Sequence, residues 1–425
     1  MPPVAQRVDY LVVGAGVVGL STAYHLARRC GGCRVLVVEK HPGPGHGDTG
    51  RSAAAFRAFF SDPVNMALAA SSIAFYRRLQ AEGHDLGMRF TGYLFALPEG
   101  GLERLRGPLG LLRQRGLGYR VLGAGELEEA LGIRARVRGL EEAELMGLPD
   151  IAEGLLVEEA GVMRPERLVE YYAGAAAGEG VEFSYRTRVE RLLVEAEPGL
   201  GAPGEPYPWQ RVRVAGALLR GGERVEAEAT IVAAGAEAYR LLEPVGVHPP
   251  GLPQKREVHV LRGPGVAEHL SRDPWGRGTP FILLPGGVYI RPVHEEASVW
   301  VGAGSRLGRP YAWEEEPRPE RGFYEYGVLP VLRAYLPGLA AAERVSSWAG
   351  FYDISTDATP VVHREPGLVV VGGTSGSGIM KADALGRAAA AAALGEDTVV
   401  LHGGETLELE QLDYTRRRRG ESLVI

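Results

Sequence analysis

The pattern of apolar and polar positions changes character three times near the start of the chain. Residues 8–13 form an almost unbroken apolar run, which is typical of a strand buried on both faces of a parallel sheet. After a glycine-rich loop, residues 20–29 repeat apolar side chains at helical spacing, and residues 34–38 form a second apolar run. Strand, loop, helix and strand in this order predict an α/β fold that begins with a Rossmann-like unit.

The loop after the first predicted strand carries the candidate phosphate-binding residues Gly14, Gly16, Val17, Val18 and Gly19. With this spacing, the first glycine permits a tight turn, the second lets a pyrophosphate approach the backbone, and the third lets helix and strand pack closely. Free N–H groups at the start of the helix bind phosphates. Glu39 ends the second strand, where a carboxylate accepts hydrogen bonds from ribose hydroxyls. The pattern predicts a dinucleotide site and leaves FAD and NAD open.

The segment from His46 to Arg57 favours FAD over NAD. It is a polar, glycine-bearing loop that directly follows the predicted ribose-binding strand. An NAD enzyme normally continues here into its next Rossmann unit. A flavoprotein often inserts a loop that reaches along the pyrophosphate toward the flavin ring.

A second kind of pattern occurs later in the chain. Residues 281–292 form two short apolar strands about a Pro-Gly-Gly turn, and residues 299–304 form a third. Alternation along the strand puts Tyr289 and Arg291 on the same face. Arg291 in this position would bind a carboxylate through two parallel hydrogen bonds. The alternative is a solvated side chain on the outer face.

Histidines provide a further candidate. His259 shares a strand face with Glu257, and it either contacts a substrate or lies without function at a strand edge. His294 and His363 are expected in loops. The sequence shows no Ser/His/Asp arrangement and no metal-ligand cluster, so no metal site is predicted.

Composition limits the class of protein. At roughly 100–200 residues per domain, 425 residues predict two or three domains. A hydrophobic content of 45% and a charged content of 24% exclude wholesale disorder. The net charge of −6 argues against binding of nucleic acid, which requires a basic surface. Glycine is 60 of 425 residues, about twice the usual share.

Two residue types are scarce. Only three lysines occur, Lys40, Lys255 and Lys381, and Asn65 is the only asparagine. Few asparagines together with many glutamates and arginines indicate a heat-adapted protein from a GC-rich genome.

The start of the chain and its cysteines bear on the compartment. No secretory signal precedes the first predicted strand, and no run of about 18 uncharged apolar residues occurs. A cytoplasmic location is expected, with attachment to a membrane surface left open. Cys30 and Cys33 are too few for a zinc site, and we interpret them as a structural turn, oxidised or reduced, rather than a redox pair.

Five further motifs give the chain a family resemblance. They lie at residues 50–57, 161–168, 229–236, 348–362 and 369–378. With the glycine loop, and in this order, they resemble the FAD-dependent D-amino-acid oxidase superfamily, in the branch of sarcosine oxidase, glycine oxidase and the dye-linked L-proline dehydrogenases. The last motif is itself a strand, a glycine loop and a helix start, which would bring another positive helix end to a ligand.

The resemblance implies two domains. A discontinuous Rossmann-like FAD domain would comprise residues 1–88, 155–240 and 346–400. A substrate domain, built on a mostly antiparallel sheet, would comprise residues 89–154 and 241–345, with a C-terminal tail at 401–425.

The resemblance also implies FAD as the cofactor. The residues expected to bind it are Gly14, Gly16, Val17, Val18, Gly19, Glu39, Lys40, Gly50, Arg51, Ser52, Val189, Ala234, Gly235, Gly373, Ser375, Gly376, Ser377, Gly378, Ile379 and Met380. Some relatives attach FAD to a Cys or a His. Gly350 stands at the position of that Cys, and the loop at 51–53 offers no His, so non-covalent FAD is expected.

By the same resemblance, the substrate is an amino acid whose α-hydrogen passes as a hydride to flavin N5. Arg57 is the expected carboxylate ligand; alternatively it forms a salt bridge to the flavin or between domains. Tyr289, Arg291 and His259 complete the candidate catalytic set.

The lysines bear on the electron acceptor. Met380 replaces a lysine of the sarcosine oxidases, and Lys381, one residue later, should point elsewhere. Lys255 is the only candidate for the lysine that assists oxygen in these oxidases. We therefore expect a dehydrogenase that passes electrons to a dye, a quinone or a protein, with L-proline as the best substrate. Glycine, sarcosine, D-amino acids and 2-hydroxyglutarate are competitors, and an electron-relay subunit or an NAD enzyme are alternatives.

The tail carries a basic run, residues 416–419, followed by the apolar residues 423–425. The run would contact an acidic partner or membrane lipid, or else lie in a subunit contact or in solvent. The apolar end indicates a docked terminus. A homodimer is left open.

Overall fold

The structure is a computed structural model that describes residues 6–304, 309–416 and 423. Within these residues the strands are β1 (Gln6–Val13), β2 (Val35–Val38), β3 (Ala55–Phe56), β4 (Tyr93–Leu97), β5 (Tyr119–Gly123), β6 (Glu153–Val157), β7 (Gly161–Val162), β8 (Glu182–Ser184), β9 (Val189–Ala196), β10 (Val212–Leu219), β11 (Arg224–Val232), β12 (Leu252–Arg262), β13 (Phe281–Leu283), β14 (Val288–Val293), β15 (Ser298–Ala303), β16 (Glu343–Ile354), β17 (Val361–Glu365), β18 (Leu368–Gly372), β19 (Thr398–Val400) and β20 (Thr406–Glu408).

The α-helices are α1 (Val17–Cys30), α2 (Pro63–Ala81), α3 (Gly101–Arg104), α4 (Arg106–Gln114), α5 (Ala124–Leu131), α6 (Glu141–Met146), α7 (Pro165–Gly178), α8 (Tyr239–Leu242), α9 (Pro264–Ser271), α10 (Leu329–Tyr335), α11 (Pro337–Ala340) and α12 (Ala382–Ala393). None of the helices in the described part of the chain is long and apolar enough to cross a membrane.

The first sheet has the strand order β17-β18-β11-β1-β2-β8, and the β9–β10 hairpin extends it from β11. β1 runs parallel to both β11 and β2. Val12 and Val37 pack into the core on one face, whereas Val13 and Val38 pack into the core on the other. Burial on both faces explains the unbroken apolar runs of the sequence and confirms the predicted Rossmann-like unit.

The second sheet has the strand order β16-β12-β15-β14-β13-β4-β6-β5. All its pairs are antiparallel except β13 with β4. The three strands expected between residues 281 and 304 are β13, β14 and β15. This confirms the mostly antiparallel second sheet. β6 and β16 also belong to it, so the predicted domain limits at 155 and 346 fall inside strands, and the division at those residues stays a prediction.

Two sequence features lie at the periphery. Cys30, the last residue of α1, forms a disulfide with Cys33, and Gly31 caps the helix in the left-handed region with φ 56°. Arg416 forms a bidentate ion pair with Asp357, with both N–O distances 2.8 Å. The rest of the predicted basic run, residues 417–419, and residues 424–425 lie outside the described residues.

Candidate active site

A cavity of about 880 Å³ is bounded by residues of both sheets. The first sheet and its loops contribute the glycine loop after β1, the end of β2, and the turn after β11. The second sheet contributes side chains of β12, β14 and β16. The carboxyl ends of β1 and β2 meet the N-terminus of α1 here, which is where parallel α/β sheets bind their ligands.

The glycine loop forms one wall of the cavity. Gly14 has φ 107°, and a Cβ there would lie 2.6 Å from the carbonyl oxygen of Ala233, so only glycine fits. The N–H of Val17, in the first turn of α1, donates to Oγ1 of Thr49 at 3.2 Å. A Cβ at Gly19 would lie 2.1 Å from the oxygen of Gly14. Gly19 therefore serves the close packing of helix on strand, as its place in the motif predicted.

Glu39 is held rigidly at the end of β2. Its side chain is buried, and its two carboxylate oxygens accept hydrogen bonds from the N–H groups of Ala15 and His41, each at 2.8 Å. The carboxylate thus ties the second strand to the glycine loop while it lines the cavity. This geometry suits the predicted contact with ribose hydroxyls.

An aromatic side chain lies beside the Glu39 end of the cavity. The indole of Trp313 has Nζ of Lys40 at 5.1 Å and Cζ of Arg240 at 4.9 Å from its ring centroid. All three residues line the cavity, and Lys40 also forms an ion pair with Glu237. Sequence reasoning missed Trp313 because it lies in a segment without regular secondary structure and without motif spacing.

The late glycine loop forms the opposite wall. Gly376 has φ 82°, and a Cβ there would lie 2.2 Å from the ring of Tyr352. Oγ of Ser375 accepts from the N–H of Ser355 at 3.1 Å, and Oγ of Ser377 accepts from Nζ of Lys381 at 2.6 Å. The two serines therefore fix the loop by hydrogen bonds to residues outside the cavity lining. Lys381 is buried and lies outside the set that lines the cavity.

The predicted cofactor residues divide into two groups. Those that line the cavity are Gly14, Gly16, Val17, Val18, Glu39, Lys40, Arg51, Ser52, Val189, Ala234, Gly235, Gly376, Gly378 and Ile379. Those that lie behind the lining are Gly19, Gly50, Gly373, Ser375, Ser377 and Met380. Of the second group, Gly50 and Gly373 are close-approach positions, where a Cβ would lie 2.6 Å from the oxygen of Gly45 and 2.3 Å from the oxygen of Pro250.

The sequence matches that of the FAD dependent oxidoreductases from residue 9 to residue 392. The chain belongs to this family. Among curated proteins, this oxidoreductase is 26% identical to the FAD-dependent oxidoreductase domain-containing protein 1 of Xenopus laevis, over 100% of this chain and 85% of that protein.

Among solved structures, the fold is similar to that of L-proline dehydrogenase from P. horikoshii, with a TM-score of 0.74, 19% identity and coverage of 96% and 97% of the two chains. It is also similar to glycine oxidase from Geobacillus kaustophilus, with a TM-score of 0.72, 24% identity and coverage of 97% and 100%.

The cavity of this FAD-dependent oxidoreductase fits its cofactor. Gly14 and Gly16 line the cavity without side chains where a pyrophosphate would approach the backbone, the start of α1 offers backbone N–H groups, and the Glu39 carboxylate lies where a ribose would bind. The loop at 373–378 supplies the small residues Thr374, Gly376 and Gly378 to the lining. These residues would hold FAD along the cavity.

Arg256 is an arginine of the second sheet whose side chain lines the cavity. It alternates with Val258 along β12, and both line the cavity. Cζ of Arg256 lies 5.0 Å from the ring centroid of Tyr352. Nη1 donates to the carbonyl oxygen of Lys255 at 3.0 Å, and Nη2 donates to Oε1 of Gln254 at 2.8 Å. Tyr289 lines the same cavity, and burial raises the pKa of its hydroxyl. Sequence reasoning singled out Tyr289 but missed Arg256, because strand alternation alone does not show which face of β12 lines the cavity.

His259 and Lys255 lie on the other face of β12. The ring of His259 is fully buried beside Phe323 and Tyr324, and burial lowers its pKa to about 4. Nζ of Lys255 pairs with Glu314 at 2.6 Å. Neither side chain lines the cavity, because the period-2 alternation of the strand turns both away from it. The structure therefore does not bring His259 to the substrate position expected from the sequence.

Arg57 also lies outside the cavity lining. Its side chain is 3% exposed, Cζ lies 4.3 Å from the ring centroid of Phe60, and its two Nη atoms donate to the carbonyls of Phe59 and Leu423. The guanidinium is thus engaged by backbone oxygens and an aromatic ring. The contact with Leu423 shows that this tail residue is docked, as expected.

Arg291 occupies a third environment. It is 5% exposed, so the alternative of a solvated side chain is wrong. Nη2 donates to the carbonyl of Met163 at 3.0 Å, and Cζ lies 4.2 Å from the ring centroid of Trp300. It shares a strand face with Tyr289, but it lines a separate, smaller cavity.

A carboxylate that the sequence did not single out lies in the large cavity. Oδ1 of Asp48 accepts from the N–H of Phe351 at 2.8 Å, and burial raises the pKa of Asp48 to about 6 against the lowering effects of that hydrogen bond and of Arg51. The side chain keeps 35% of its surface exposed, and it lines the cavity.

Proposed function

We propose that this protein is an FAD-dependent amino-acid dehydrogenase, with L-proline as its best substrate. The observation that carries the proposal is the position of Arg256. Arg256 places a guanidinium from the second sheet in the same cavity as the glycine loop after β1. A guanidinium binds a carboxylate through two parallel charge-assisted hydrogen bonds, which fits recognition of an amino acid.

Arg256 takes the carboxylate role that the sequence had led us to expect of Arg57 or Arg291. Tyr352 lies against the guanidinium and restricts its orientation. Tyr289 and Val258 add an aromatic and an aliphatic surface to the same part of the cavity. A small apolar ring attached to the amine, as in L-proline, would pack against these side chains.

The reaction is the oxidation of a C–N bond. Bound FAD would supply the two-electron oxidant that takes the α-hydrogen as a hydride; the iminium that remains would lose its N–H proton to solvent to give the imine. Within the chain, Arg256 binds the substrate carboxylate and so orients the substrate. The substrate amine reacts in its neutral form. For L-proline the product is pyrroline carboxylate.

FAD is proposed to bind without a covalent bond. Gly350 lines the cavity but offers no thiol, and the loop at 51–53 supplies no histidine. Precipitation with acid should release all the yellow colour into the supernatant. Colour that stays with the pellet would contradict this proposal.

The electron acceptor is proposed to be a dye, a quinone or a protein rather than oxygen. The side chain of Lys255 lies outside the cavity lining and pairs with Glu314, and Lys381 is held by Ser377 and Asn65. Lys40, the third lysine, lies at the predicted ribose end beside Trp313. Apart from Lys40, no lysine side chain among the described residues lines the cavity, which supports a dehydrogenase over an oxidase.

The proposal is tested by anaerobic titration of the FAD-loaded protein with a panel of amino acids, followed by admission of a dye or of oxygen. We expect L-proline to bleach the flavin absorbance and a dye to restore it much faster than oxygen does. Rapid recovery in oxygen would favour an amino-acid oxidase. If no amino acid bleaches the flavin, an electron-relay subunit becomes the better account.

A further inference from the structure

A second cavity, of about 50 Å³, lies beside Arg291. Thr91, Arg291, His294 and Trp300 are among the residues that line it. Among the described residues it shares no lining residue with the large cavity. Its occupant is therefore independent of FAD and of the proposed amino-acid substrate.

Four buried polar atoms of these side chains have no hydrogen-bond partner in the part of the chain that the structure describes. They are Oγ1 of Thr91, Nε of Arg291, Nε2 of His294 and Nε1 of Trp300. The arginine and tryptophan nitrogens are donors only, whereas the threonine hydroxyl and the histidine nitrogen donate or accept. An occupant that satisfies the site must therefore accept hydrogen bonds.

The charges around the cavity leave one guanidinium without a counter-ion. Arg89 pairs with Glu295 at 3.0 Å, and Arg164 pairs with Glu166 at 3.2 Å. Arg291 forms no ion pair with a described residue.

The environment of Arg291 is consistent with a missing negative charge. Its Nη2 hydrogen bond goes to the neutral carbonyl of Met163, and its guanidinium lies on the ring of Trp300. Burial lowers the pKa of Arg291 to about 10, although the more distant carboxylates of Glu295, Glu296 and Glu166 raise it in part. Glu296, the remaining carboxylate at the rim, is exposed.

We propose that this cavity is a binding site for one small monovalent anion of about the size of chloride. A water molecule would satisfy the donor-only nitrogens of Arg291 and Trp300 but would leave the buried guanidinium without a negative charge beside it. An anion accepts from all the donors and supplies the missing charge. The volume is larger than one water requires but too small for an amino acid.

The test is thermal unfolding of the FAD-loaded protein at constant ionic strength, as gluconate is replaced by chloride or bromide. We expect a saturable rise in Tm of roughly 1–4 °C, because an anion that binds only the folded state stabilises it. Trp300→Phe removes one donor and keeps the ring, so the half-saturating chloride concentration should rise about tenfold. Trp275→Phe, outside both cavities, is the matched control and should leave it unchanged.

Thr91→Val removes the hydroxyl at nearly constant shape and repeats the test if Trp300→Phe does not fold. Crystals soaked in bromide should show an anomalous peak within hydrogen-bonding distance of Nε of Arg291 and Nε1 of Trp300. Water density alone at that position overturns the proposal. So does a Tm that rises without saturation, or equally in Trp300→Phe and Trp275→Phe.

Discussion

The guanidinium of Arg256 lies over the ring of Tyr352, with Cζ 5.0 Å from the ring centroid, on the wall of the large cavity. A guanidinium has a rigid fork of donors that an ammonium lacks. We therefore expect both Arg256→Met and Arg256→Lys to lower kcat/KM for L-proline by about 100-fold or more. The rate of flavin reduction at increasing L-proline concentration measures this.

Arg344 provides the matched control for that pair. Its guanidinium lies over the ring of Tyr324 at 4.8 Å and pairs with Glu325, but it does not line the cavity. Arg344→Met should leave kcat/KM nearly unchanged. Equal losses in Arg256→Met and Arg344→Met would show that the effect is general destabilisation rather than carboxylate binding.

Trp313 is expected to contact the adenine of FAD, since it lies between Lys40 and Arg240 near Glu39. Stacking of a base on an aromatic side chain contributes roughly 1–3 kcal/mol. Trp313→Ala should therefore raise the Kd of FAD about tenfold, measured by titration of the FAD-free protein. Trp209→Phe changes an exposed tryptophan outside the cavity and should not affect the Kd. An unchanged Kd in Trp313→Ala would exclude the contact.

The raised pKa of Asp48 predicts that the stability of the folded protein depends on pH. Its pKa in the folded protein is about 6, above the ordinary Asp value of about 3.9, so folding favours the protonated form. The stability that protonation contributes is fully present below the ordinary pKa and is lost as the pH rises through about 6. Asp48→Asn keeps an oxygen to accept from the N–H of Phe351 but does not titrate.

The Tm of the FAD-free Asp48→Asn variant should therefore increase relative to that of the wild type between about pH 4 and about pH 7. Thermal unfolding of both proteins across this range measures the difference. A difference that is constant with pH would mean that Asp48 has an ordinary pKa.

Gly376 is expected to be essential for the shape of the flavin end. A Cβ at this position would lie 2.2 Å from the ring of Tyr352, so Gly376→Ala should displace the ring or the loop and weaken FAD binding. Gly404→Ala has a similar positive φ, 92°, but open space around the new Cβ, so it isolates the backbone strain. Similar Kd values for FAD in the two variants would show that the collision with Tyr352 is relieved without cost.

The sequence predicted the parts of the site that depend on local backbone geometry. Gly14, Gly16 and Glu39 were found because a pyrophosphate loop and a ribose carboxylate require particular residues at particular spacing. Arg57 and Arg291 show the limit of this reasoning. Both are buried arginines, but whether a side chain reaches a cavity depends on packing between distant segments, such as Arg57 with Leu423 and Arg291 with Met163.

Residues that reach the cavity only through tertiary placement were harder to predict. Arg256 required the knowledge that β12 pairs with both β15 and β16, which fixes the face that looks into the cavity. Trp313 comes from a segment with no pattern of its own. His259 had a plausible strand position, but the alternation of β12 turns it toward Phe323 and Tyr324.

The most direct test of the central claim compares L-proline with pyrrolidine, which has the same ring and amine but no carboxylate. The FAD-loaded protein is mixed anaerobically with each compound, and the flavin absorbance is followed. Amino-acid dehydrogenation with carboxylate recognition by Arg256 predicts rapid bleaching by L-proline, little by pyrrolidine, and loss of this preference in Arg256→Met. Equal bleaching by the two compounds, or none by L-proline, would contradict it.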